Sequence, residues 1–190
     1  MRDTGRGIFL ALLMAVLVIG CGKGGGGVVA LKSETLLDGW EGVPPSSTLW
    51  EAWDKSQTAE STTAFFTEGA HGYILHYDLA KCTWPMVWRK TEFALDLTSV
   101  NYMVVDAYLP PGSPADISVY FALAGFGGTK HAAPPITLHE GWNTCITDLD
   151  GSWLDTDTRR STVHVEMVVA AAVGHPNGLV VFDNLRTAKK

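Results

Sequence analysis

The stretch Asn101-Tyr102-Met103-Val104-Val105-Asp106-Ala107-Tyr108-Leu109 decides the fold: it is rich in β-branched and aromatic residues and stops at Pro110-Pro111-Gly112, a turn signal. Its shortness between breaks suits a strand rather than a helix. Successive side chains of a strand point to opposite faces. Met103, Val105, Ala107 and Leu109 therefore share an apolar face that reads as core, while Val104, Asp106 and Tyr108 share the other. The run Ile117-Ser118-Val119-Tyr120-Phe121-Ala122-Leu123 divides the same way, with Ile117, Val119, Phe121 and Leu123 inward and Ser118, Tyr120 and Ala122 outward. Together the two runs predict an accessible surface of one sheet carrying Asp106, Tyr108, Ser118 and Tyr120.

Outward from this centre, residues 72–79, 86–95, 136–139, 144–149, 163–172 and 179–185 read as further strands. They are separated by Gly127-Gly128, Pro134-Pro135, Glu140-Gly141, Asp150-Gly151 and Pro176-Asn177-Gly178, all turn chemistry. In 163–169 the polar face carries His164 and Glu166. Outside the first twenty residues no segment of twelve or more keeps a helical apolar period. Many short strands at regular spacing predict an all-β antiparallel β-sandwich over residues 28–190.

The N-terminus carries a different signal. Arg2 and Arg6 precede an uncharged apolar run from Ile8 to Ile19, too short to cross a bilayer comfortably, and Gly20 and Cys21 follow. A basic start, a short apolar segment and a small residue before the cut predict a secretory signal peptide over residues 1–20. Val18-Ile19-Gly20-Cys21 resembles the lipobox of bacterial lipoproteins, which implies lipid attachment at Cys21 and a membrane-anchored lipoprotein at the bacterial cell envelope. Residues 21–27, nearly all glycine, read as a flexible lipid-attached tether. Cleavage would leave 170 residues, a length suited to one domain, and would move the formal charge from −6 to −7 as Arg2, Asp3 and Arg6 depart. So acidic a domain is not built to bind nucleic acid, which needs a basic surface. With Cys21 consumed by lipid, Cys82 and Cys145 are left either to form a disulfide in an oxidising compartment or to stand as two free thiols.

Three segments carry a family likeness: Leu37-Asp38-Gly39-Trp40-Glu41-Gly42, Gly141-Trp142-Asn143-Thr144 leading to Asp148-Leu149, and Val181-Phe182-Asp183-Asn184-Leu185-Arg186. With Leu95-Asp96-Leu97 and Val104 to Pro110, they resemble jelly-roll carbohydrate-binding modules, and more broadly galactose-binding-like β-sandwiches, over roughly residues 36–187. The resemblance implies a jelly roll whose opening strand pairs near its closing strand. It also implies a structural calcium ion on Glu41 and Asp183, with Asp38 a looser candidate; the plain alternative makes Asp183 and Asn184 turn-capping residues. Trp40 stands where the family usually has phenylalanine.

Seven tryptophans and five tyrosines supply rings that can stack on a sugar's C–H surface, although most aromatics of a sandwich are core. Parity or loop position marks Trp88, Tyr108, Tyr120 and Trp153 as surface candidates beside Asp106 and Glu166, whereas Trp142 reads as packing. Catalytic signatures are poor: there is no Gly-x-Ser-x-Gly elbow, and His139-Glu140 lacks the second histidine of a zinc-protease helix. Asp106 with Glu166 could form an acid and base pair of the glycosidase type, whose separation would decide between retaining and inverting chemistry. The sequence therefore points to a non-catalytic module that binds a polysaccharide or oligosaccharide, displayed on a membrane. Its alternatives are a surface structural or adhesion domain with a protein partner and, behind that, a glycan-cleaving enzyme.

Overall fold

The computed structural model describes residues 30–41, 50–54, 57–82, 84–171 and 177–190, with backbone alone at 90–94. The signal peptide, Cys21 and the tether lie outside these residues. In chain order the elements are β1 (Lys32–Asp38), β2 (Trp50–Ala52), β3 (Thr58–Thr62), β4 (Gly72–Asp78), β5 (Met86–Leu95), β6 (Tyr102–Leu109) and β7 (Ser118–Gly125). There follow β8 (Lys130–Ala132), β9 (Ile136–Thr137), β10 (Gly141–Asp148), α1 (Thr156–Arg160), β11 (Thr162–Ala170) and β12 (Asn177–Lys189). One antiparallel sheet runs β10-β6-β12-β4-β3, with β1 also on β12; the other runs β2-β5-β11-β7-β8, with β9 also on β7. The chain is an all-β antiparallel sandwich.

Between the sheets lie the residues that parity turned inward: Met103, Val105, Ala107 and Leu109 of β6, Val119, Phe121 and Leu123 of β7, and Val165, Met167 and Val169 of β11, all buried. Full burial of such a side chain contributes about 1.5–3 kcal/mol, so this inner layer is the main source of stability. At one end, Trp40 stacks on Tyr73 with ring centroids 5.9 Å apart and lies 5.5 Å from Trp50. Asp38 fixes that cluster, one oxygen accepting the Trp40 backbone N–H at 2.9 Å and the other the Trp50 indole N–H at 2.8 Å. Trp40 takes a positive φ of 54°. That conformation costs an L-residue about 1–2 kcal/mol, which the complete burial of the indole offsets.

The opening and closing strands pair, as the family likeness implied: Leu36 lies opposite Arg186 and Asp38 opposite Leu185. Within β12 the register against β6 shifts between Asp183 and Arg186, so Asn184 and Leu185 together face the single residue Val105. Asn184 takes the left-handed φ of 53° that this bulge needs, a conformation asparagine tolerates better than most residues. As a result Asp183 and Asn184 face the same side, Leu185 stays in the core, and Arg186 returns to the outer face.

One sequence expectation needs correction, and of the two readings of the cysteine pair the disulfide falls. Asp106 and Tyr108 do not share a surface with Ser118 and Tyr120, because consecutive strands β6 and β7 belong to opposite sheets. Each outward assignment holds, but the two outer faces lie on opposite sides of the molecule. Cys82 and Cys145 are free thiols. Cys145 lies on edge strand β10 and Cys82 follows β4, with β6 and β12 between them. Three interstrand spacings of about 4.8 Å exceed the roughly 7 Å Cα separation that a disulfide tolerates. The strands β2, β3 and β8, of three to five residues, were not foreseen, because their lengths leave little alternation to read.

Candidate functional site

The outer face of the first sheet is closed by the chain itself. Residues 64–71 lie across it: the ring of Phe65 stacks on Tyr108 at 4.8 Å, and Tyr108 meets Trp142 at 5.3 Å. Asp183 Oδ2 accepts the backbone N–H of Thr67 at 2.5 Å and of Glu68 at 3.1 Å, and the Thr67 hydroxyl lies 2.8 Å from Asp183 and 3.2 Å from Asp106. Asp106 Oδ2 also accepts from Asn184 and from Arg186, each at 3.2 Å, and Arg186 pairs in turn with Glu34. Asp106 and Asp183 are buried under this roof. Such carboxylates hold a lid segment in place; they are not open to a ligand.

Glu41 holds the far end of the same segment. Its Oε1 accepts the backbone N–H of Ala70 at 2.9 Å and of His71 at 2.8 Å, while Oε2 lies 3.3 Å from the His71 ring. Desolvation raises its pKa, but these N–H groups outweigh that and keep the carboxyl below its ordinary value. Gly69 makes the approach possible, because its φ is +78° and a Cβ there would sit 2.3 Å from Glu41 Oε1. Glu41 and Asp183 thus address one segment from its two ends, yet the backbone groups turned to them are N–H donors, whereas a calcium ion needs several oxygens. Among the described residues, no cluster of three or more histidine, cysteine, aspartate or glutamate side chains gathers.

The outer face of the second sheet is built differently. Register aligns Glu51 of β2, Trp88 of β5, Glu166 of β11, Ala122 of β7 and Ala132 of β8 in one row across it. Ala122 and Ala124 of β7 and Ala132 of β8 have almost no side chain, so the face is low beside the central strand β11. On one side Trp53, just beyond β2 and 55% exposed, packs edge to face on Trp88 with centroids 5.4 Å apart. His164 lies 5.7 Å from the Trp88 ring. From the opposite edge Lys130 reaches over the alanines. Its Nζ is 2.6 Å from Glu166 Oε1 and 5.2 Å from the Trp53 ring centroid. Tyr120 rests half-buried on an apolar floor of Met86, Ala122 and Val168, where desolvation, with Glu166 adding to it, raises its phenol pKa.

Of the residues marked in the sequence, the structure therefore brings Trp88, Tyr120 and Glu166 together on this face and leaves Asp106 and Tyr108 on the other. Trp153 joins neither: its indole N–H donates to the Asp148 carbonyl at 2.8 Å, and the ring packs against the core at a turn. Trp142, read as packing, is 37% exposed on the edge strand of the first sheet. Asp106 and Glu166 cannot flank one glycosidic bond, because they project away from each other from sheets about 10 Å apart. Trp53 and Lys130 escaped the sequence reading because each belongs to a three-residue strand or its flank, too short for parity to assign a face. Rings beside a paired carboxylate and ammonium, over a floor of small residues, offer stacking and hydrogen bonding without an acid–base couple.

No family model matches the chain, and no curated protein is similar to it in sequence. Solved structures do share the fold. One is a family 11 carbohydrate-binding module from Clostridium thermocellum in complex with a β-1,3-1,4-mixed-linked tetrasaccharide, 14% identical, TM-score 0.57, covering 82% of this chain and 95% of that one. Another is a carbohydrate-binding module of family 28 specific for non-crystalline cellulose, 14% identical, TM-score 0.56, covering 75% and 89%. A third is an exo-β-agarase, 12% identical with TM-score 0.60; the match covers 82% of this chain but 25% of that one. The protein thus has the β-sandwich fold of carbohydrate-binding modules. At these identities the likeness establishes architecture, and ligand chemistry has to be argued from this chain's own side chains.

Proposed function

We propose that the protein binds a polysaccharide or oligosaccharide without cleaving it, on the outer face of the second sheet. The observation that carries this reading is the pairing of exposed Trp53 with half-buried Trp88, set beside the Lys130–Glu166 ion pair. The rings offer flat apolar faces to sugar C–H groups, and the Glu166 carboxylate offers an acceptor to hydroxyls. That solved structures of this fold include modules complexed with a tetrasaccharide or specific for cellulose supports the same reading. Trp53→Ala should weaken glycan affinity by about 1–3 kcal/mol, the range for an aromatic anchor, and change the melting temperature little because the indole is largely exposed. Affinity electrophoresis against a panel of plant, algal and bacterial glycans, with thermal melts on the same samples, checks this. Unchanged binding by both Trp53→Ala and Trp88→Ala would move the ligand off this face. Binding to no glycan, with a specific protein captured in pull-downs, would favour the adhesion alternative.

The module is proposed to be exported and displayed from a bacterial membrane by lipid on Cys21, with residues 22–27 as its leash. Several acyl chains at one site give firm anchoring where one chain alone is marginal. Metabolic labelling with a fatty-acid analogue should mark the wild type and not Cys21→Ser, which should leave the membrane fraction. Equal label in both would remove Cys21 as the acceptor.

A further inference from the structure

Lys130 does more than edge the groove. Its ammonium lies between Glu166 on the central strand and Trp53 on the far side, so one side chain from β8 crosses the low alanine floor and closes it. The two ends of the crossing differ in kind. Glu166 is buried, its side chain 4% exposed, whereas that of Lys130 is 49% exposed and free to swing out on its flexible stem. Near Trp53 the ammonium takes the ring attraction that a stacked sugar would use, and at Glu166 it takes the acceptor that a sugar hydroxyl would use.

We propose that Lys130 is a latch across the glycan groove: in the free protein it occupies Trp53 and Glu166, and an uncharged sugar chain binds by displacing it. The inference rests on the glycan-binding reading of this face and adds a competitor built into the site. Affinity is then set by what the sugar gains minus what the ammonium gives up. Shortening Lys130 opens the groove and leaves the Glu166 carboxylate hydrated and available. An anionic sugar chain would instead hold the ammonium in place as a direct contact.

The test combines affinity with a signal seen without ligand. In the free protein the Lys130 methylene protons beside Nζ should be shifted upfield by the Trp53 ring, and the shift should vanish in Trp53→Ala. Saturating neutral glycan should return those protons to ordinary lysine positions, and Lys130→Ala should bind the same glycan about fivefold tighter, the scale of one exposed cation–ring contact. If glycan binds while the Lys130 signal stays shifted, or if Lys130→Ala binds equally or more weakly, the latch is wrong and the binding face stands. If neither wild type nor Lys130→Ala binds any glycan, the reading of the face falls and the latch with it. Binding by Lys130→Ala alone would be its strongest support.

Discussion

Cys145 carries its thiol into the core from β10, where desolvation first and the nearby Asp106 charge second push its pKa up to about 12. Only the thiolate reacts, so at neutral pH this sulfur is inert in the native protein. Cys82, half-buried after β4, is not shielded in that way. Iodoacetamide at pH 8 should therefore label Cys82 and spare Cys145 until denaturant is added, scored on peptides by mass spectrometry. Equal labelling in the native state would contradict the burial of Cys145, and a Cys82–Cys145 cross-linked peptide from unreduced protein would contradict the placement of β10 and β4 with two strands between them. Burial also governs the two faces. Asp106 and Glu166 are both nearly covered, but Asp106 is covered by the Thr67 hydroxyl, the Asn184 amide and an arginine fixed in a network, Glu166 by one half-exposed lysine. That difference in the covering group, more than the carboxylate itself, makes one a structural residue and the other part of a groove.

At the scale of elements, the bulge in β12 sets which side chains the closing strand offers the first sheet. If the same sequence ran through in regular alternation without the bulge, Leu185 would turn outward and Arg186 inward, away from Asp106, since a shift of one exchanges the faces. Asn184→Gly removes the side-chain bond to Asp106 and relieves the positive φ, while Asn184→Ala removes the bond and keeps the strain. Alanine should therefore be less stable than glycine by about 1 kcal/mol, and chemical denaturation of the two variants checks it. Glycine proving the less stable would show that the bulge is not held in the left-handed conformation. Helix α1 is a smaller case of local chemistry fixing an element. Asp155 caps it by accepting the Thr158 N–H at 2.7 Å and also pairs with His131 of β8, joining the helix to the second sheet.

For the molecule as a whole, the segment across the first sheet bears on the calcium proposal. Residues 67–71 are held at one end by Asp183 on the last strand and at the other by Glu41 just beyond the first. A calcium ion on the two carboxylates would need peptide oxygens where N–H groups now point, and by binding only the native state it would raise the melting temperature by mass action. Protein stripped with chelator and melted with and without millimolar calcium tests this directly; a gain of several degrees supports the ion, and identical melts leave the N–H contacts as the whole device. The sequence by itself determined the all-β class, most strand positions, the inward residues of β6 and β7 and the outward sense of Asp106, Tyr108, Tyr120 and Glu166, because strand parity is a property of the chain and needs no partner. It also marked the opening and closing motifs that pair as β1 and β12. Only the tertiary structure decided which sheet each strand joins, and with it which outward residues meet: Trp88, Tyr120 and Glu166 on one side, Asp106 and Tyr108 on the other. Sheet assignment depends on contacts between residues far apart in sequence. Trp53 and Lys130, more than seventy residues apart, acquire a common role only once the strands of the second sheet lie side by side.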